Sequence, residues 1–133
     1  MEFEVFLVDD DEIVNFLHRI LLKDQGFSND PRTFLNGKAC LEHLRKEESP
    51  EKHILIFLDI NMPIMNGWQF LKEINSNPVI PQIYVIMLTS SVDVIDRDTA
   101  KQFVQVIDFI EKPLMPQIVQ QLKQHPLLAE FFV

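Results

Sequence analysis

Residues 54–67 read ILIFLDINMPIMNG, an unbroken apolar run from Ile54 to Leu58 that stops at Asp59. A strand with one wet face alternates apolar and polar residues, whereas a continuous run of this length fits a strand buried on both faces, as in parallel sheets covered by helices. Working outward, the same pattern recurs. Val5–Val8 ends in Asp9 and Asp10, Ile83–Leu88 ends in Thr89 and Ser90, and Ile107–Ile110 is followed closely by Lys112. Segments with helical periodicity separate these runs, which is the alternation expected of βαβ units. In such sheets, ligands sit beyond the carboxyl ends of the strands, where strand order reverses. The four polar endings should therefore meet in one crevice.

The spacing predicts strands at Glu4–Val8, Ser28–Phe34, Ile54–Leu58, Ile83–Leu88 and Val106–Ile110. It predicts helices at Asp11–Gln25, Gly37–Lys46, Trp68–Asn75, Val94–Phe103 and Pro116–Gln124. In the first helix Ile13, Phe16, Leu17, Ile20 and Leu21 recur at i, i+3, i+4, i+7 and i+8, Asp10 or Asp11 can cap its start, and Gly26 is a natural stop. Asn36 can cap the second helix. Ser28–Phe34 is the weak strand, because Pro31 is tolerated at a sheet edge and disfavoured inside a sheet. No internal repeat, low-complexity tract or linker interrupts the pattern.

A length of 133 residues with 47% apolar content leads us to expect one domain over residues 1–133, with its core at about 3–124 and a short apolar tail, Leu127–Val133. No output module is expected beside it. The net charge of −8, with no run of Lys or Arg, argues against direct binding to nucleic acid or an anionic membrane. Cys40 is the single cysteine, which excludes an internal disulfide and a Cys-rich zinc site; its setting among Ala39, Leu41 and Leu44 reads as a buried structural thiol. The amino terminus lacks a basic stretch followed by an apolar one, and no run approaches the roughly 18–20 apolar residues of a membrane span. A cytoplasmic location is expected.

Asp9, Asp10 and Asp59 gathered in one crevice could not all remain ionised and unpaired. A hard divalent cation resolves the repulsion, and carboxylates with a backbone carbonyl and waters make the oxygen shell that Mg²⁺ prefers. A carboxylate can also attack phosphorus to give an aspartyl phosphate. Such transfer needs mainly charge neutralisation at the phosphoryl oxygens, for which Lys112 and the Thr89 hydroxyl are placed. Asp59, alone at the end of the most buried strand, is the best nucleophile. Each residue has a plainer role when taken singly. Asp11 reads as a helix cap, Lys112 alone as a solvated lysine, Thr89-Ser90-Ser91 as the cap of the fourth helix, and His18, His43, His53 and His125 as structural or surface groups.

FLVDDDE at 6–12, IFLDINMPIMNGWQFL at 56–71, VIMLTSS at 85–91 and DFIEKPL at 108–114 together resemble the receiver domain of two-component response regulators, a likeness running from Phe3 to about Gln124. The resemblance implies a flavodoxin-like α/β fold: a doubly wound, five-stranded parallel sheet in the order 2-1-3-4-5, flanked by five helices. It implies Asp59 as phosphoacceptor, Asp9 and Asp10 as the acidic pair that holds Mg²⁺, and the backbone carbonyl of Asn61 completing the metal shell. Thr89 would be the hydroxyl that moves onto the phosphoryl group, Lys112 its cationic partner, Phe109 the aromatic switch, and Lys112-Pro113 a cis peptide.

The implied partners are a sensor histidine kinase or phosphotransfer protein and a downstream protein read by contact, with the chain a monomer or a phosphorylation-dependent dimer. The protein would catalyse its own modification without being an enzyme toward an external substrate. A relay or phosphate-sink role, an aspartate-nucleophile phosphatase and a flavodoxin-like binding module are the alternatives. The phosphatase reading expects an acid/base Asp where Asn61 stands, and the binding module expects a Ser, Thr and Gly rich loop after the first strand. Three features depart from the family pattern. Phe103-Val104-Gln105-Val106 replaces the usual small residues before the last strand, Phe109 stands where Tyr is often found, and small polar groups at Ser90, Ser91 and Asn61 leave water an approach.

Overall fold

The computed structural model describes residues 2–90 and 93–133, so Ser91 lies outside the described residues. Among them are five strands, β1 (Glu2–Val8), β2 (Arg32–Phe34), β3 (Lys52–Leu58), β4 (Gln82–Thr89) and β5 (Val106–Glu111). They form one parallel sheet in the order β2-β1-β3-β4-β5. The helices are α1 (Glu12–Asp24), α2 (Gly37–Arg45), α3 (Gly67–Ser76), α4 (Val94–Ala100) and α5 (Pro116–Leu122), followed by a 3₁₀ turn at Ala129–Phe132. The fold is the doubly wound α/β arrangement expected from the sequence.

Period-two alternation along the strands divides the core. Phe6, Val8, Ile54, Ile56, Leu58, Val85 and Met87 point to one face, where Cys40 and Leu44 of α2, Phe70, Leu71 and Ile74 of α3, and Ala100 of α4 cover them. Val5, Leu7, Leu55, Phe57, Ile86 and Leu88 point to the other, toward Leu22 of α1 and Val119 and Leu122 of α5. Each fully buried Leu, Ile or Phe contributes about 1.5–3 kcal/mol relative to exposure, so β3, buried from Ile54 to Leu58, is the most strongly fixed strand.

Several boundaries differ from expectation for local reasons. Both β1 and β3 begin two residues early because Glu2 pairs with Lys52 and Phe3 with His53. β2 shrinks to Arg32–Phe34, leaving Pro31, which has no N–H to donate, just outside the ladder. α4 stops at Ala100, and its cap is the Asp93 side chain, which accepts the Ile95 N–H at 2.7 Å. Phe103 turns inward and stacks against Trp68, while Gln105 O accepts the Val85 N–H at a register shift between Val85 and Ile86. This is how the bulky segment before β5 is accommodated.

The first helix packs by a face other than its apolar stripe. α1 forms, capped by the Asp11 side chain, which accepts the Ile13 N–H at 2.9 Å. Its apolar stripe nevertheless faces outward, with Ile13, Phe16, Leu17 and Ile20 between 41% and 70% exposed. The buried positions are Asn15, His18 and Leu22. Helical spacing identified the helix but not the face that packs.

The apolar tail folds back across the amino-terminal end of the sheet. Leu128 is fully buried, the Phe131 ring stacks on Phe3 with centroids 4.3 Å apart, and Phe132 lies 4.7 Å from Phe27. These contacts close the core on the face that α1 and α5 cover. Phe131→Ala should therefore lower unfolding stability by about 2 kcal/mol in urea titration, short of the ~3–5 kcal/mol for a fully buried Phe. An unchanged midpoint would show that the tail contributes no packing.

Candidate functional site

The backbone ladder continues one rung past the strand ends, and the side chains singled out in the sequence stand on that rung. The Asp9 N–H donates to Phe34 O at 3.1 Å, the Asp59 N–H to Val8 O at 3.0 Å, and the Lys112 N–H to Thr89 O at 2.6 Å. Val8 is paired with Leu58, and Leu58 with Met87, so Asp9 and Asp59 emerge side by side where strand order reverses between β1 and β3.

The Lys112 ammonium stands between the two carboxylates, with Nζ 2.5 Å from Asp9 Oδ2 and 3.4 Å from Asp59 Oδ1. Asp9 and Asp59 are buried, and Asp10 is exposed at the rim. One ligand oxygen from each of Asp9, Asp10 and Asp59 lies within 4.8 Å of the others. Burial, then the charge of Asp9, pushes the Asp59 carboxyl above the usual carboxylate range against the pull of Lys112. For Lys112, burial works against the ammonium, but the Asp9 hydrogen bond and the charges of Asp59 and Asp9 outweigh it and hold its pKa above the ordinary value. Asp9 and Asp59 thus share the Lys112 ammonium, with Asp10 a third acidic group beside them. An all-oxygen donor set with this excess of negative charge fits a hard divalent ion such as Mg²⁺.

The loop after Asp59 is shaped by Gly67. Its N–H donates to Ile60 O at 2.9 Å, and a Cβ there would lie 2.7 Å from Asp59 O, so a larger residue would drive the Asp59 peptide out of place. Asn66 opens α3 with a capping box: its side chain accepts the Gln69 N–H at 2.9 Å, and Gln69 Oε1 accepts the Asn66 N–H at 2.9 Å. Asn61 is exposed in this loop. Thr89 is buried at the end of β4, and the Lys112-Pro113 peptide is cis. Phe109 is half-buried on β5, with the Arg97 guanidinium 5.4 Å from its ring centroid. A cation at that distance holds an aromatic ring by about 0.5–1 kcal/mol at an exposed site.

Two further side chains, Asn15 and Arg97, belong to no motif in the sequence. Asn15 Nδ2 donates to Asp9 O at 2.9 Å and to Phe34 O at 3.2 Å, tying α1 to the rung that carries Asp9. Each contact joins two elements, α1 to the ends of β1 and β2 for Asn15 and α4 to β5 for Arg97, so neither is written within one element.

A five-stranded parallel sheet whose switch point gathers carboxylates and a lysine defines a doubly wound α/β domain with an acidic site at the carboxyl ends of its strands. Over residues 5–123 the chain matches the response regulator receiver domain, and it belongs to that family. It is 30% identical over 126 residues to the chemotaxis protein CheV1 of Helicobacter pylori, covering 94% of this chain and 38% of that protein. It is 28% identical to the regulatory protein VanRc of Enterococcus gallinarum, covering 92% of this chain and 49% of that protein. The chain thus spans less than half of either relative. Among solved structures it resembles a two component response regulator from Cytophaga hutchinsonii, with TM-score 0.75, 26% identity, and coverage of 92% of this chain and 95% of that one. The receiver domain of sensor histidine kinase PA1611 from Pseudomonas aeruginosa, which has a magnesium ion coordinated in its active site cleft, shares the fold at TM-score 0.70 and 19% identity, covering 94% of this chain and 98% of that one.

The raised pKa of Asp59 has a consequence for stability. The folded chain holds this proton at pH values where the unfolded chain has released it, so ionisation of Asp59 costs stability above its folded pKa. The cost fades as pH falls through that value. Asp59→Asn should therefore unfold at a higher temperature than the parent at pH 7, by roughly 3–5 °C for each ~1 kcal/mol of repulsion relieved. The gain should disappear on acidification below the carboxylate range. Equal midpoints at pH 7 would mean that Asp59 carries no net penalty.

Proposed function

We propose that this chain is a phosphorylation switch whose acceptor is Asp59. The observation that carries this reading is the meeting of Asp59, Asp9 and Lys112 at the switch point of the sheet, with Lys112 Nζ 2.5 and 3.4 Å from the two carboxylates. An Asp59 oxygen attacks the phosphorus of a phosphohistidine on a sensor histidine kinase or phosphotransfer protein. The new O–P bond forms as the P–N bond breaks, and imidazole leaves. Lys112 supplies positive charge to the phosphoryl oxygens, and Thr89 supplies a hydroxyl to them. Asp9, Asp10 and Asp59, with the backbone carbonyl of Asn61, would hold Mg²⁺. When bound, this ion neutralises charge on the transferring group.

The protein acts on itself, both in taking the phosphoryl group and in losing it by hydrolysis, and signals to a downstream protein by contact in the cytoplasm. A phosphoryl group on Asp59 adds about −1.5 to −2 charge near neutral pH. Thr89 moves toward it, Phe109 gives up the outer position beside Arg97, and the face of α4, β5 and α5 changes shape. Incubation with acetyl phosphate and Mg²⁺ should give a base-labile adduct that Asp59→Asn lacks. The same adduct in Asp59→Asn would refute the assignment.

Support for a protein donor comes from the outward stripe of α1. An open apolar cleft of about 410 Å³ connects Leu17 and Leu21 with Lys112 and Pro113, so the stripe reaches the rim of the site at Leu17. A donor must cross this rim to present its phosphoimidazole, and contiguous exposed apolar side chains mark interaction sites. The double variant Phe16→Ser, Leu17→Ser should take phosphoryl groups from a phosphorylated donor protein about tenfold more slowly while labelling normally with acetyl phosphate. An equal fall with both donors, or with neither, would remove α1 from donor recognition.

A further inference from the structure

Two hydrogen bonds hold the segment that carries Lys112. On one side the Lys112 N–H donates to Thr89 O at 2.6 Å, tying the segment to β4. Pro113 has no N–H. The next donor is the Leu114 N–H, which crosses to α1 and meets His18 Nε2 at 3.3 Å. His18 is itself buried, on the same inward face of α1 as Asn15, three residues earlier. An N–H aimed at Nε2 makes that nitrogen the acceptor, which places the ring proton on Nδ1.

The Leu114 side chain is buried in the core, but burial is non-directional and does not by itself orient the Leu114 N–H. The helix does not close on the segment either, because the cleft between Leu17 and Pro113 stays open. The directional contact from α1 to the Lys112 segment is therefore the imidazole. Asn15 and His18 brace the two halves of the site from one helix: Asn15 fixes the carbonyl of Asp9, and His18 fixes the amide two residues after Lys112.

We propose that His18 is a positioning residue: by accepting the Leu114 N–H it anchors the Lys112 segment to α1 and so sets where the Lys112 ammonium stands between Asp9 and Asp59. The role assigned to Lys112 rests on the phosphoacceptor reading above; the anchoring itself rests on the geometry alone. Loss of the anchor leaves Asp9, Asp10 and Asp59 where they are. The expected signature is thus slower phosphorylation with nearly unchanged Mg²⁺ affinity.

The test compares the parent with His18→Leu, which fills the space without an acceptor, and His18→Gln, whose side-chain oxygen can reach the Nε2 position. Phosphorylation by phosphoramidate and Mg²⁺ binding are followed by Trp68 fluorescence, and the Leu114 amide by ¹⁵N NMR. His18→Leu should react about tenfold more slowly, the size expected of a misplaced catalytic group, with Mg²⁺ affinity within about twofold of the parent and a shifted Leu114 amide signal. His18→Gln should recover both rate and signal. If His18→Leu does not fold, His18→Asn, whose acceptor is too short to reach, should show the same slow rate. A parental rate in the acceptor-less variant, or an Mg²⁺ affinity that falls in step with the rate, would overturn the proposal. So would a slow His18→Gln whose Leu114 signal is restored. A parent inert toward phosphoramidate would instead defeat the phosphoacceptor reading, and the Leu114 signals would still report on the anchor.

Discussion

The site depends on one constraint, the in-register parallel pairing of β1 with β3. Seven consecutive partners, from Glu2↔Lys52 to Val8↔Leu58, end level with each other, so the next residue of each strand is an aspartate held by a backbone hydrogen bond to its neighbour. A slip of one residue would send Ile54, Ile56 and Leu58 to the opposite face and carry Asp59 away from Asp9. Burial of β3 on both faces makes such a slip expensive. The geometry of the acidic cluster is thus fixed by core packing rather than by contacts among the carboxylates themselves.

Those carboxylates oppose the fold that places them. Asp9 and Asp59 are buried with a single internal cation, and Asp59 is held above its ordinary pKa by burial and by Asp9. Local conflict of this kind marks a functional site, because a stable core would replace the cluster with apolar groups. Lys112 relieves part of it from the segment after β5, which is tied to β4 at Thr89 and to α1 at His18.

α1 answers to this need. An inward face of Ile13, Phe16, Leu17 and Ile20 would leave the Asp9 carbonyl, the second lone pair of the Phe34 carbonyl and the Leu114 amide without the side-chain partners that Asn15 and His18 provide. Polar contacts are made inward, and the apolar stripe is left at the rim, where a partner protein can cover it. The carboxyl-terminal aromatics do the reverse at the opposite end of the sheet, where Phe131 and Phe132 seal Phe3 and Phe27 from water.

The apolar runs and the polar residue that ends each of them determined by themselves the strand assignments, the parallel α/β class and the placement of Asp9, Asp10, Asp59, Thr89 and Lys112 at the carboxyl ends of the strands. These features are local, since a strand's burial is written in its own periodicity and its carboxyl end follows from chain direction. Only the tertiary structure decided which face of α1 packs, because helical spacing allows both the stripe at Ile13, Phe16, Leu17 and Ile20 and the one at Asn15, His18 and Leu22. Which group Asn15 or His18 satisfies depends on a carbonyl and an amide 6 to 96 residues away, and no pattern in the helix encodes them. The same holds for Arg97 over Phe109 and for Phe131 on Phe3: each contact is made by a fold whose elements the sequence spells out singly, and whose mutual distances are set by packing of the whole sheet.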